Sequence, residues 1–202
     1  MLTDLTGVVV THLSAAVHAG NSDPAAPILR VRAGSDRGVV QGSIATARGE
    51  QLVGRVVSIG ARSCVVLPIT SRAGGPLRGT VILDDAQLSG LACTLEPVGD
   101  GTLRGPVEDR RDGATGRAIL PEPGALVRLD DPERWPPHAR MLVLGRVERV
   151  EPSPDQPLRR VLIVRPLHER LDRLRRVGLR IPGNPDAPSQ PRSGAAPSEA
   201  TP

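Results

Sequence analysis

Apolar and polar positions alternate along most of this chain in short runs, each broken by glycine or proline. Residues 27–33 set Leu29, Val31 and Ala33 against Ile28, Arg30 and Arg32, the two-residue period of a half-buried strand. Runs at 39–46, 52–59, 64–70, 78–83, 90–97, 125–129, 141–150 and 161–166 read the same way. Gly34-Ser-Asp-Arg-Gly38 and Gly60-Ala-Arg-Ser63 supply tight turns between them. Residues 98–124, rich in Gly, Asp, Arg and Pro, predict a long connection. One segment changes period. Leu167, Leu171, Leu174 and Val177 fall near a 3.6-residue repeat, with the acid-first pairs Glu169/Arg173 and Asp172/Arg176 and a closing Gly178. They predict a short helix, followed by a brief strand at 179–181. From 183 to 202 the chain is Pro, Ser and Ala without a large apolar residue, which predicts disorder.

An internal echo organises these strands. Leu52-Val-Gly-Arg-Val-Val-Ser-Ile59 returns as Val143-Leu-Gly-Arg-Val-Glu-Arg-Val150, and each copy precedes a turn and another apolar run. A glycine inside a strand marks a bend or a close backbone approach, so Gly54 and Gly145 predict barrel corners. The expected fold is all-β, with two small β-barrel subdomains, one short C-terminal helix and a disordered tail. Residues 1–26 form a lead-in strand and linker and 27–97 the first barrel. Residues 98–124 form a flexible connection, 125–182 the second barrel, and 183–202 the tail.

Composition narrows the function. The chain of 202 residues carries 26 basic residues, all arginine, against 22 acids, for a net charge of +4. Trp135 is the single aromatic residue, which excludes base-stacking platforms. Arginines interleave with acids, as in Arg128-Leu-Asp-Asp131, so a mixed solvated surface is expected and no nucleic acid. The alternative is a basic β-barrel that holds nucleic acid through its arginines. No apolar run approaches the ~20 residues of a membrane span. Expressed from Met1 as written, without a signal segment, the chain is expected to stay soluble and cytoplasmic.

Candidate chemistry is sparse. Cys64 and Cys93 sit in apolar runs without paired metal ligands, so buried thiols are expected, and whether they pair is open. His12, His18, His138 and His168 accompany no nucleophile turn and are expected at the surface. Asp84-Asp85, Glu108-Asp109 and Asp130-Asp131 lack the spacing of a calcium loop and read as solvated turn acids. No catalytic residue, cofactor or metal is expected. A degenerate trypsin-like hydrolase is the least supported reading.

The run Ala33-Gly-Ser-Asp-Arg-Gly-Val-Val-Gln-Gly42, then Leu52-Val-Gly-Arg-Val-Val-Ser-Ile-Gly60, then Ser63-Cys-Val-Val-Leu-Pro-Ile-Thr70, resembles the periplasmic core of the rod shape-determining MreC family. Leu144-Gly-Arg-Val147, Val161-Leu-Ile-Val-Arg-Pro166 and Leu171-Asp-Arg-Leu174 continue the likeness over residues 27–181. Trp135-Pro136 stands where the family has Phe-Pro. The resemblance implies two β-barrel subdomains and a non-catalytic scaffold of cell-wall elongation, held at the periplasmic side of the inner membrane. It also implies self-association and contacts with MreB, MreD, RodA and the elongation penicillin-binding protein. Gly34, Asp36, Gly38, Gly54, Arg55, Gly145 and Arg146 carry its structural motifs.

Overall fold

The computed structural model describes residues 10–20, 27–84, 89–153, 156, 159–168 and 170–182. Fourteen strands follow one another along them. They are β1 (Val10–Gly20), β2 (Leu29–Val31), β3 (Ile44–Ala47), β4 (Gln51–Ile59), β5 (Cys64–Pro68), β6 (Leu77–Asp84) and β7 (Ser89–Pro97). Next come β8 (Leu103–Pro106), β9 (Arg110–Arg111), β10 (Ala118–Ile119), β11 (Leu126–Leu129), β12 (Val143–Pro152), β13 (Arg160–Arg165) and β14 (Arg176–Pro182). Hydrogen bonding closes two rings of six strands. One runs β4-β3-β14-β1-β2-β5 and back to β4; the other runs β11-β6-β7-β8-β13-β12 and back to β11. Closure removes most strand edges, which is how a chain this rich in short strands avoids templating other chains.

Each ring is packed by small aliphatics. Leu29, Val31, Leu52, Val66 and Leu179 are buried in the first barrel, and Val81, Leu91, Leu95, Leu103 and Leu162 in the second. A six-stranded barrel has a narrow interior that branched aliphatics fill, so the absence of Phe and Tyr leaves no deficit there. The alternation at 29–33 appears as expected, with Leu29, Val31 and Ala33 buried and Arg30 and Arg32 exposed.

The echoed segments are β4 and β12, and they are built alike to the residue. Pairing with β3 skips Val53, between Ala45↔Gly54 and Thr46↔Leu52. Pairing with β11 skips Leu144, between Val127↔Gly145 and Arg128↔Val143. On their other sides the ladders skip Val57 and Glu148, three residues beyond each glycine. Two bulges flanking a glycine bend each strand around its barrel. A Cβ on Gly54 would stand 2.7 Å from the Leu67 carbonyl carbon, and one on Gly145 2.7 Å from that of Arg165. In both places it would press still harder on the carbonyl oxygen. The neighbouring strand therefore admits only glycine.

Three expectations change. The helix from Leu167 is reduced to a single 3-10 turn, Leu171–Arg173. Beyond it Val177, Leu179 and Ile181 point inward from an extended strand, because the first barrel needs β14 as its sixth member. Residues 98–124 are not a plain connection: they hold β8, which pairs with both β7 and β13, and the β9–β10 hairpin. The barrels also do not follow the boundaries 27–97 and 125–182. β1 and β14 complete the first barrel, and β6 and β7 belong to the second. The tail at 183–202 lies outside the described residues.

If the carbonyl approach at the bends is as tight as the geometry gives, Gly54→Ala and Gly145→Ala each lose on the order of 2–3 kcal/mol. Gly113→Ala, where a Cβ meets nothing within 4 Å, stays within about 0.5 kcal/mol of the parent. Urea unfolding midpoints compare all three.

Candidate functional site

The barrels meet where β4 and β12 begin side by side. They run parallel there for one residue pair, Gln51↔Val143, supported by the Val143 amide bonded to the Glu50 carbonyl at 2.9 Å. The Gln51 side chain is buried at this seam. Its Nε2 lies 2.8, 3.0 and 3.1 Å from the carbonyls of Leu52, Val143 and Leu144, and its Oε1 accepts from the Leu167 amide at 2.8 Å. One carboxamide thus joins the first barrel, the second, and the segment leading from β13 back to β14.

An insertion between β11 and β12 bolts the seam from outside. Trp135 is buried, and the Arg55 guanidinium of β4 sits 5.8 Å from its ring centroid, a cation–π contact. Arg134 donates to the carbonyls of Gly74 and Pro76, in the link between barrels. Arg180 of β14 donates to His138 at 2.9 Å and Gly49 at 2.8 Å. This packing overturns two surface expectations. His138 and Asp131 are buried, 3% and 2% exposed, because the insertion folds back onto the seam.

Gly34 precedes a 3-10 turn at Ser35–Arg37 that ends on Gly38 with φ of 75°. The amides of Ser35 and Asp36 donate to Gly60 and Ala61 at 3.1 Å each, so this turn clamps the tip of the β4–β5 hairpin. Asp36 itself is exposed. Arg146 is exposed and donates to Gly124 at 2.8 Å. Arg55 and Arg146 match in sequence but not in task, since only Arg55 faces the partner barrel.

Among the described residues no three His, Cys, Asp or Glu side chains gather as a metal would need. Cys64 and Cys93 are free and buried. Burial pushes the Cys64 thiol up to about 11 and the Cys93 thiol up to about 12. That burial keeps both protonated at neutral pH. Outside the second barrel, Glu148 bonds Arg165 and Arg149, and Glu151 bonds Arg149 and Arg104. The Arg165 hydrogen bond comes first in holding the Glu148 carboxyl below its ordinary range. A recess of about 600 Å³ beside Ile82, Leu83, Pro123 and Ala125 exposes Leu120, which is 47% accessible.

These features define a double barrel whose halves are joined by buried polar bonds at one seam. No family model and no curated protein matches the sequence. Solved structures do. The fold is that of MreC, and the sequence resemblance holds at that level. MreC from Pseudomonas aeruginosa is 19% identical with a TM-score of 0.62, over 84% of this chain and 98% of that one. The major periplasmic domain of the cell shape-determining filament MreC is 16% identical with a TM-score of 0.62, over 87% of this chain and 98% of that one. A chain of the complex between a penicillin-binding protein (PBP2) and MreC from Helicobacter pylori is 9% identical with a TM-score of 0.52, over 86% of this chain and 99% of that one.

Gln51→Leu would leave the Val143 and Leu144 carbonyls and the Leu167 amide without their partner. The expected cost is on the order of 3 kcal/mol in thermal unfolding. A second expectation concerns alkali. The chain has no Lys and no Tyr, so its two thiols are the only side chains titrating between an ordinary thiol value near 9 and about 12. Both are raised in the fold, so their contribution to stability is complete below pH 9 and is lost as pH climbs through 11 and 12. A pH series of melting temperatures should be flat from 7 to 9 and fall above it, and a Cys64→Ala/Cys93→Ala chain should lose that alkaline slope.

Proposed function

We propose that this chain is a non-catalytic scaffold of the cell-shape machinery, acting in the periplasm through protein–protein contacts. The observation that carries the reading is the complete double barrel, shared over most of the chain with MreC structures. One of these structures is a complex with a penicillin-binding protein. The seam supports a scaffold: buried polar bonds hold the two barrels in one relative orientation, which a rigid platform for several partners requires. Among the described residues the two thiols are buried and free, apart from each other. Gly34, Asp36, Gly38, Gly54, Arg55, Gly145 and Arg146 are then framework residues, and partner recognition falls to exposed surfaces.

The elongation penicillin-binding protein is the first partner to test, with MreB, MreD, RodA and self-association following from the resemblance. Surface plasmon resonance of the purified chain against the periplasmic part of that enzyme from the same organism should show saturable binding. Gln51→Leu, which loosens the seam, should weaken it at least several-fold. Absence of binding to every elongation protein in the same format would sink the scaffold reading.

A further inference from the structure

Charge is divided between the barrels in a way the linear sequence conceals. Residues 10–76 and 166–182, which hold the first barrel, contain twelve arginines and five acids; residues 77–165, which hold the second, contain thirteen arginines and fourteen acids. The excess positive charge therefore belongs to one barrel. It concentrates further on one of its faces. Ala16 of β1 lies opposite Arg176 of β14, and the Arg32 amide donates to the Ala16 carbonyl at 2.8 Å from the other side. Arg32 and Arg176 thus flank a small exposed alanine on the outer surface, two strand spacings or about 10 Å apart. Arg30 shares this outward side of β2, and Arg62 stands at the tip of the adjoining β4–β5 hairpin; all four arginines are exposed. Arg175, exposed as well, enters β14 beside them.

The ion pairs from Arg78–Glu133 to Arg165–Glu148 join groups of the second-barrel segment and take none of these arginines. On the basic face Arg176 has one long contact to the Ser14 hydroxyl, at 3.4 Å. Asp36 stands at the margin of this face, its amide bonded to Ala61 at the hairpin tip. The planar guanidinium fork is the side chain best fitted to phosphate.

We propose that this face of the first barrel docks on an anionic membrane surface, its arginines taking lipid headgroup phosphates. Its form separates that occupant from nucleic acid. Among the described residues the face is the outside of a sheet, with no helix or ribbon raised from it to enter a groove. The chain's single aromatic, Trp135, is buried at the seam on another side, so unpaired bases find nothing to stack on. A flat array of spaced cations suits a flat array of phosphates, and it would set the long axis of the double barrel relative to the bilayer.

Co-sedimentation of the full chain with vesicles tests the assignment. Vesicles of phosphatidylcholine with about one-third phosphatidylglycerol should bind it at ~0.05 M salt, pure phosphatidylcholine should not, and ~0.5 M salt should release it. Arg30→Ser/Arg32→Ser/Arg176→Ser should bind at least tenfold more weakly. The equal charge loss Arg111→Ser/Arg117→Ser/Arg159→Ser, on exposed positions of the second-barrel segment, should change binding less than twofold. Both triples should melt with the parent, since every side chain removed is exposed. No preference for anionic vesicles overturns the proposal, and so does an equal loss in the two triples. Equally tight, equally salt-sensitive retention on duplex DNA, lost in the first triple, would overturn the lipid assignment in favour of nucleic acid.

Discussion

The relative placement of the two barrels turns on one buried carboxamide, braced from outside by the β11–β12 insertion. The backbone joins the barrels through a single residue pair, Gln51↔Val143, far too little to fix an angle. The Gln51 side chain extends that join into four hydrogen bonds on three chain segments. An apolar residue of similar volume would fill the space equally well, but it would tolerate sliding. An amide whose bonds are all directed does not, because any rotation of one barrel strands buried carbonyls away from water. The seam is thus specified by geometry more than by contact area.

Arginine takes over work that aromatic residues do elsewhere. Without Phe or Tyr, the chain has few large planar groups to close gaps between elements. Arg134, Arg128, Arg146, Arg72 and Arg180 instead reach backbone carbonyls, and Arg55 covers the one indole. The fork satisfies carbonyls at turns and strand ends while its stem lies along apolar surface. An arginine count that looks like a codon bias is, at these positions, part of the framework.

Local pattern carried much of the fold. Gly54 and Gly145 announced the bends because a glycine amid Val and Leu has no other purpose in a strand, and the alternation at 29–33 marked its buried side correctly. The segment from 167 to 178 shows the limit. Its leucines fit a helical period, yet Val177, Leu179 and Ile181 fit a strand equally well, and the unpaired sides of β1 and β3 decided between them. Such a choice is made by distant partners and has no local signature. Burial of Asp131 and His138 was hidden for the same reason: both are ordinary loop residues until the insertion folds over the seam. The basic face was hidden too, since Arg30 and Arg32 are separated from Arg176 by more than half the chain.

The antiparallel pairing of β1 with β14 means that the first barrel wraps around the second in the order of synthesis. Strands β6 to β13 form a continuous stretch, and every one of their barrel partners is available once Arg165 has emerged. The earlier strands are made first but cannot close, because their sixth member, β14, is made only after β13. For that interval β1 to β5 present a half-built ring with open edges, and the finished second barrel becomes the surface against which it closes. Closure of the first barrel therefore waits for β14, and any factor that shields unpaired strands has its opportunity on β1 to β5 in that interval.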